Sequence, residues 1–164
     1  MTMKTTVLAT LLAGLAASTA GAQYPIGAAG FAWTGSSGAT AGNFCWGANC
    51  IASAVNVTAG ESVTLHISGE IGAPYAILTS TGASNCQPFL GILNRLVLDA
   101  PVAIGLSGAL VNVSPILSCP NGYDTATATF PTGLPIGLTF AIQGITYGAG
   151  NALAFTKAIL VTVI

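Results

Sequence analysis

The chain has 164 residues, of which 52 % are hydrophobic and 4 % charged, with a formal net charge of −1. Ordinary soluble domains carry roughly 25 % charge, so the polar surface here must come from Thr, Ser, Asn, Gln and backbone. This apolar composition excludes a disordered chain. Beyond Lys4 the cations are Arg95 and Lys157, too few to neutralise a phosphate backbone, so nucleic acid is excluded as a partner.

The chain opens on an export signal. Lys4 supplies a positive start, Val7 to Ala17 an apolar run, and Ala20-Gly21-Ala22 a small-residue cleavage site before Gln23. The expected boundaries are a signal peptide over 1–22 and a single secreted domain over 23–164. The apolar run is short for a membrane span, and no transmembrane segment is expected in the mature chain.

From Gln23 to Asn43 the sequence is rich in Gly, Ala and Ser, and Phe31 and Trp33 fall on one side of a short edge strand. Gly35 to Gly42 reads as loop. Ile51 to Val57 leads into a turn at Thr58-Ala59-Gly60-Glu61. Val63, Leu65 and Ile67 alternate with Thr64, His66 and Ser68, the pattern of a half-buried strand. Tyr75 to Thr79 is another short strand. Phe89 to Leu98 reads as an irregular strand, because Gly91 and Pro101 discourage a helix. Val102 to Leu106 and Leu110 to Val113 are further strand candidates.

Cys119 to Asp124 is turn chemistry. Thr125, Thr127 and Thr129 then alternate with Ala126, Ala128 and Phe130, giving a strand with a hydroxyl face. The chain closes with a pair around the turn Tyr147-Gly148-Ala149-Gly150-Asn151. Leu138, Phe140 and Ile142 alternate in the first arm, and Ile159, Val161 and Val163 in the second. Seven to nine short strands separated by Gly, Pro and Asn turns predict an all-β sandwich, Ig-like or jelly-roll.

Export makes disulfides available to the four cysteines, Cys45, Cys50, Cys86 and Cys119. Four cysteines allow 3 connectivities. The expected pairing is Cys45–Cys50, closing a short loop around Trp46, with Cys86–Cys119 closing a long one. On the chain-entropy model these are worth roughly 2 and 4 kcal/mol. A zinc site is not expected, since the spacing is not Cys-x2-Cys and the histidine is remote.

The run from Cys119 through Ala126-Thr127-Ala128, Pro131, Leu134-Pro135, Gly137-Leu138 and Gln143 to Phe155-Thr156 and Ala158–Val163 resembles a recurrent secreted β-sandwich module of planctomycetes and similar bacteria. The resemblance covers the last third of the chain. It implies the sandwich fold, a closing strand pair that contains a Gln, and export; it carries over no catalytic residues and no cofactor.

His66 is the one histidine. As a general base it would need a carboxylate on one ring nitrogen and a nucleophile on the other. Glu70 would share its strand face only at about 13 Å, and no Gly-x-Ser-x-Gly elbow surrounds any serine. Glu61, Glu70, Asp99 and Asp124 are dispersed, without the paired carboxylates of a glycosidase or the clustered oxygens of a calcium loop. Trp33, Trp46 and Tyr123 are candidates for stacking on sugar rings, Trp46 through its disulfide loop. Core burial of the tryptophans is the plainer reading. An outer-membrane barrel is disfavoured by short strands and the lack of aromatic girdles.

The sequence thus predicts a non-catalytic extracellular or cell-surface module, structural or adhesive, with possible self-association. A carbohydrate-binding module that uses exposed aromatics is the alternative, and a hydrolase built on His66 comes third. The closing strand, Leu160 to Ile164, lacks the lysines and prolines that guard an exposed edge. An edge position would let it pair with another copy, and a central one would make such guards unnecessary.

Overall fold

The computed structural model describes residues 24–45, 49–116 and 119–164. The segment expected to be a signal peptide and Trp46 lie outside the described residues. Among those described, twelve strands form: β1 (Gly30–Gly35), β2 (Thr40–Asn43), β3 (Ser53–Val57), β4 (Ser62–Gly69), β5 (Pro74–Ser80), β6 (Gln87–Phe89), β7 (Ile92–Leu96), β8 (Ala103–Ala109), β9 (Asn112–Val113), β10 (Gly122–Thr129), β11 (Thr139–Gly148) and β12 (Ala152–Val163). They build two sheets. The first runs β2-β1-β4-β10-β9 and the second β6-β7-β12-β11-β5-β8, with β3 parallel to β12. The fold is an all-β sandwich.

Alternation sets the two inner faces. β4 turns Val63, Leu65 and Ile67 inward beside Phe31 and Trp33 of β1, and Ile77, Ile142, Ile159, Val161 and Val163 of the second sheet meet them in one buried cluster. On the outer face of the first sheet, the register aligns Thr40, Thr34, Thr64 and Thr127 across four strands. Cross-strand threonine pairs of this kind add modestly to sheet stability and present hydroxyls where other proteins place charge.

Three expectations about strands need correction. Phe31 and Trp33 do share a face, but β1 is no edge, since β2 and β4 flank it. Thr40 to Gly42, read as loop, belongs to β2 and pairs with β1 through residues too small to show alternation. Gly122–Asp124, read as turn, already belongs to β10 and pairs with Gly69 to Ile67. In contrast, Phe89 to Leu98 holds no helix: β6 and β7 pair antiparallel, with Gly91 at φ 80° between them.

The closing pair forms as its pattern requires. β11 and β12 pair from Thr139↔Thr162 to Gly148↔Ala152, and Gly150 and Asn151 take positive φ in the turn. A register shift falls between Gln143 and Ile145. β12 is central, not an edge. β11 lies on one side, and β3 covers Ile159–Val163 on the other. Sequence alternation carries no information about that parallel partner, which lies a hundred residues upstream.

Both disulfides form, but with a different pairing from that expected: Cys45–Cys119 and Cys50–Cys86. Cys45 and Cys50 lie at different sheets. Phe44 is held at the first sheet, its carbonyl accepting from Ser68 Oγ at 2.6 Å. Cys50 leads into β3, and β3 and β7 share one side of β12. Cys86, next to β6, is therefore its neighbour. The linked residues are 74 and 36 apart in sequence. Each crosslink alone would stabilise by about 4 kcal/mol on the chain-entropy model, and less than the sum together because one loop is nested in the other.

Candidate functional site

The two flanks of the sandwich differ. On one, β2 packs against β3 and β12, which closes the core. On the other, the last strands of the two sheets stand apart. β8 pairs with β5 alone. β10 pairs with β4 along its length but with β9 only at Gly122 and Tyr123. The outer edges of Ala103–Ala109 and of Asp124 to Thr129 thus carry backbone groups with no strand partner among the described residues.

Both edges lack charge. β8 reads Ala-Ile-Gly-Leu-Ser-Gly-Ala, and β10 beyond Asp124 reads Thr-Ala-Thr-Ala-Thr. Natural edge strands are blunted by lysine, proline, inward charge or bulges. Neither edge has a charge or proline here, but β8 carries one bulge: Ile77 pairs with Leu106 and Leu78 with Ile104, which leaves Gly105 as the extra residue. Ile104 is 70 % exposed, and Val102, Leu106, Val111 and Val113 are also exposed, so an apolar surface follows the edge.

Between the edges a cleft of about 300 Å³ enters the core. Small residues create it. Ala126 and Ala128 are all that β10 turns inward here, and Gly105 faces them from β8; Trp33, Leu65, Ile77 and Ile142 form the inner wall. Tyr75 Oη donates to Asp124 Oδ2 at 2.8 Å, tying β5 to β10. Phe130, in the cleft wall, lies against Phe140 and Trp33, with ring centroids 5.8 and 5.5 Å away. Burial first, and then the Asp124 hydrogen bond and charge, push the Tyr75 pKa up to about 12. The bond therefore persists through the neutral range.

His66 sits on the outer face of β4. Its Nδ1 is 2.6 Å from Tyr123 Oη, and its ring is stacked on that of Tyr123 and tilted against Phe44. Burial lowers its pKa below the ordinary histidine value, and burial followed by the nearby Asp124 charge raises that of Tyr123. The group bonded to the imidazole is thus a weakly acidic phenol, not the carboxylate that a triad places there.

The two described residues expected to stack on sugars, Trp33 and Tyr123, are not brought together. Trp33 is 2 % exposed and belongs to the core, with no free face for a ring. Tyr123 is half-buried and its ring faces His66. Trp46 lies outside the described residues. Cys45, Cys50, Cys86 and Cys119 are all disulfide-bonded. Among the described residues no group of His, Cys, Asp and Glu could hold a metal, and no helix is long and apolar enough to cross a membrane.

Sequence reasoning passed over Gly105, Leu106, Ala126 and Ala128. The available signal was a strand whose inward positions hold only alanine. Such a strand cannot fill a sandwich by itself.

No family model and no curated protein matches the chain. Among solved structures, it is similar to an AA10 lytic polysaccharide monooxygenase from Streptomyces lividans, at 12 % identity and TM-score 0.37 over 66 % of this chain and 58 % of that one. It is also similar to a chitin binding domain from Burkholderia pseudomallei, at 13 % identity and TM-score 0.37 over 73 % and 58 %. The chain thus spans less than two thirds of either structure's length.

Proposed function

We propose that the protein is a non-catalytic extracellular module that associates with copies of itself through the open flank of its sandwich. The observation that carries this reading is the pair of uncharged, proline-free edges, the outer part of β10 and β8 on either side of its bulge at Gly105. Strand addition uses such edges: main-chain hydrogen bonds supply affinity, and side chains on alternate sides supply fit. Few charges oppose contact between copies, and a net charge of −1 gives little of the repulsion that keeps small domains apart. Two disulfides suit an oxidising compartment outside the cytosol, where a module of this kind would contribute to a surface or to secreted material.

The test is sedimentation of the purified, disulfide-bonded protein over a concentration series at low and high salt. Association through β8 should be nearly salt-independent, because there is little charge to screen. Ile104→Lys should weaken it by about tenfold or more, since an edge lysine loses hydration on pairing, and should leave the thermal transition in place. A strict monomer at millimolar concentration contradicts the reading.

A neutral-glycan module is the second reading, and one observation favours it. The rank Thr40-Thr34-Thr64-Thr127, extended by Thr125, Thr129 and Ser62, makes an uncharged hydroxyl face. Retention on insoluble chitin or cellulose that is lost in Thr64→Lys would move this reading ahead.

A further inference from the structure

Three turns at one end of the sandwich share an unusual residue choice. Ile26-Gly27, Ile71-Gly72 and Leu90-Gly91 each place a large aliphatic residue at the first corner and a glycine at φ 77, 79 and 80° at the second. The backbone requires the glycine, as in a type II turn. It does not require the aliphatic, because turn corners ordinarily hold Pro, Asn, Asp or Ser. Leu90 is fully exposed, Ile26 76 % and Ile71 49 %. At the opposite end the corners ahead of Gly38, Gly60 and Gly137 are Ser37, Ala59 and Ile136, so the choice is concentrated at one end.

The register brings these turns together. β7 lies parallel to β12 with Leu93 against Ala154, which sets the Leu90 turn beside the β11–β12 turn. Leu93 fills the space over Gly27, and Ile26 reaches Gly150. Tyr147 and Ile71 line one hollow. Phe89, Leu93 and Tyr147 are themselves exposed. Across segments 24–29, 70–73, 90–91 and 149–151 the one charged residue is Glu70. Contiguous exposed apolar surface of this kind marks an interaction site.

We propose that this end of the sandwich docks on a neutral lipid surface, its aliphatic turns entering the boundary between headgroups and acyl chains. Knobs on separate turns suit a fluid that closes round each one, whereas a protein partner would need a matching socket for all of them. Shallow entry also suits these turns because their own backbone bonds are made. Ala28 N–H donates to the Pro25 carbonyl at 2.9 Å, and Ala73 N–H to that of Glu70 at 3.1 Å. Tyr147 pairs an apolar ring with a polar tip, which fits the interface itself. The turns hold no cation to attract anionic headgroups, and Glu70 would be repelled by them. The described chain also begins at this end, with Tyr24, and the apolar run Val7 to Ala17 precedes it in sequence. Export led by that run would present this end to the bilayer. The surface is separate from the β8 and β10 edges and does not depend on self-association.

The test is flotation of the exported, disulfide-bonded protein with phosphatidylcholine vesicles, with and without added phosphatidylserine. It should float with phosphatidylcholine alone, equally at low and high salt, and gain nothing from phosphatidylserine. Leu90→Ser and Ile26→Ser should each weaken partitioning about tenfold or more, as one large apolar side chain kept in water implies, and leave the thermal transition in place. Ile104→Lys, on the flank, should float like the wild type. A spin label on the upper acyl chain should broaden the methyl signals of Ile26, Ile71 and Leu90 and spare that of Ile104.

No flotation at millimolar lipid, flotation only with phosphatidylserine, or flotation that survives Leu90→Ser and Ile26→Ser combined would overturn the proposal. Loss of flotation in Ile104→Lys would assign it to the associating edge instead. Methyl signals of Ile26 and Leu90 that move with protein concentration, while no vesicle is bound, would assign this end to a second copy and equally overturn it.

Discussion

Gln143 Oε1 accepts the backbone N–H of Val97 at 2.9 Å, 46 residues away in sequence, and both residues are fully buried. The same amide donates through Nε2 to the carbonyls of Arg95 and Thr156, each at 2.9 Å. One side chain at the β11 register shift thus bonds three backbone groups that the sheet leaves over, and holds the segment after β7 against the closing pair. Removing it strands a buried donor and two acceptors. Gln143→Leu should therefore destabilise by about 2–4 kcal/mol, measured by urea unfolding, with the loss of protection greatest at the Val97 amide. A change below 0.5 kcal/mol would mean that water replaces the amide.

Tyr75 and Gly108 are opposed across β5 and β8. A Cβ on Gly108 would lie 2.6 Å from Tyr75 Oη, so any side chain there must push the ring off Asp124. Gly108→Ala should cost about 1–3 kcal/mol by overpacking. It should also bring the Tyr75 pKa down from about 12 toward 10, which ultraviolet titration of the phenolate follows. The sign is that of an acid with a raised pKa: Tyr75 contributes stability that is present below pH 10 and lost as pH rises toward about 12.

His66 gives a different pH window. Its pKa is lowered by burial from 6.5, so below pH 6.5 the unfolded chain takes up the proton first. Stability should be flat above that pH, fall as pH drops through it, and level off below the folded-state pKa. His66→Gln should flatten this step while changing stability near pH 8 by about 1 kcal/mol or less. The lowered carboxyls act at more acid pH. Ser37 and Thr58 hold Glu61 below 4.5, chiefly through the Ser37 hydroxyl, and their contribution goes as pH falls through and below that value. A hydrolytic activity that vanished in His66→Gln with stability intact would instead make the protein an enzyme.

Val161 is fully buried in the middle of the second sheet, between β11 and β3. Val161→Lys should therefore unfold the protein, since it buries an unpaired charge, whereas Ile104→Lys, 70 % exposed on β8, should leave it folded. Circular dichroism melts of the two variants compare a central strand directly with an edge.

The strands were legible where large and polar residues alternate. Val63 to Ser68 and the closing pair could be read directly, because period two fixes which side chains face the core. The hydroxyl face of Thr125, Thr127 and Thr129 was legible for the same reason. What alternation cannot encode is order across the sheet. The central place of β12, the parallel pairing of β3 and the cysteine partners all depend on which chain segments become neighbours. Trp33 was readable as an apolar residue, but only the packing of Phe130 and the smallness of Ala126 and Ala128 put it at the base of a cleft.

The association proposed for this protein is tested most directly by amide hydrogen exchange of β8 as a function of protein concentration. The amides of Ala103–Ala109 that face away from β5 have no strand partner among the described residues. In the wild type their exchange should slow as concentration rises, at both low and high salt, while the amides of β12 stay equally protected throughout. Ile104→Lys should abolish the concentration dependence. Exchange of the β8 amides that is fast and independent of concentration up to the millimolar range would contradict self-association through this edge.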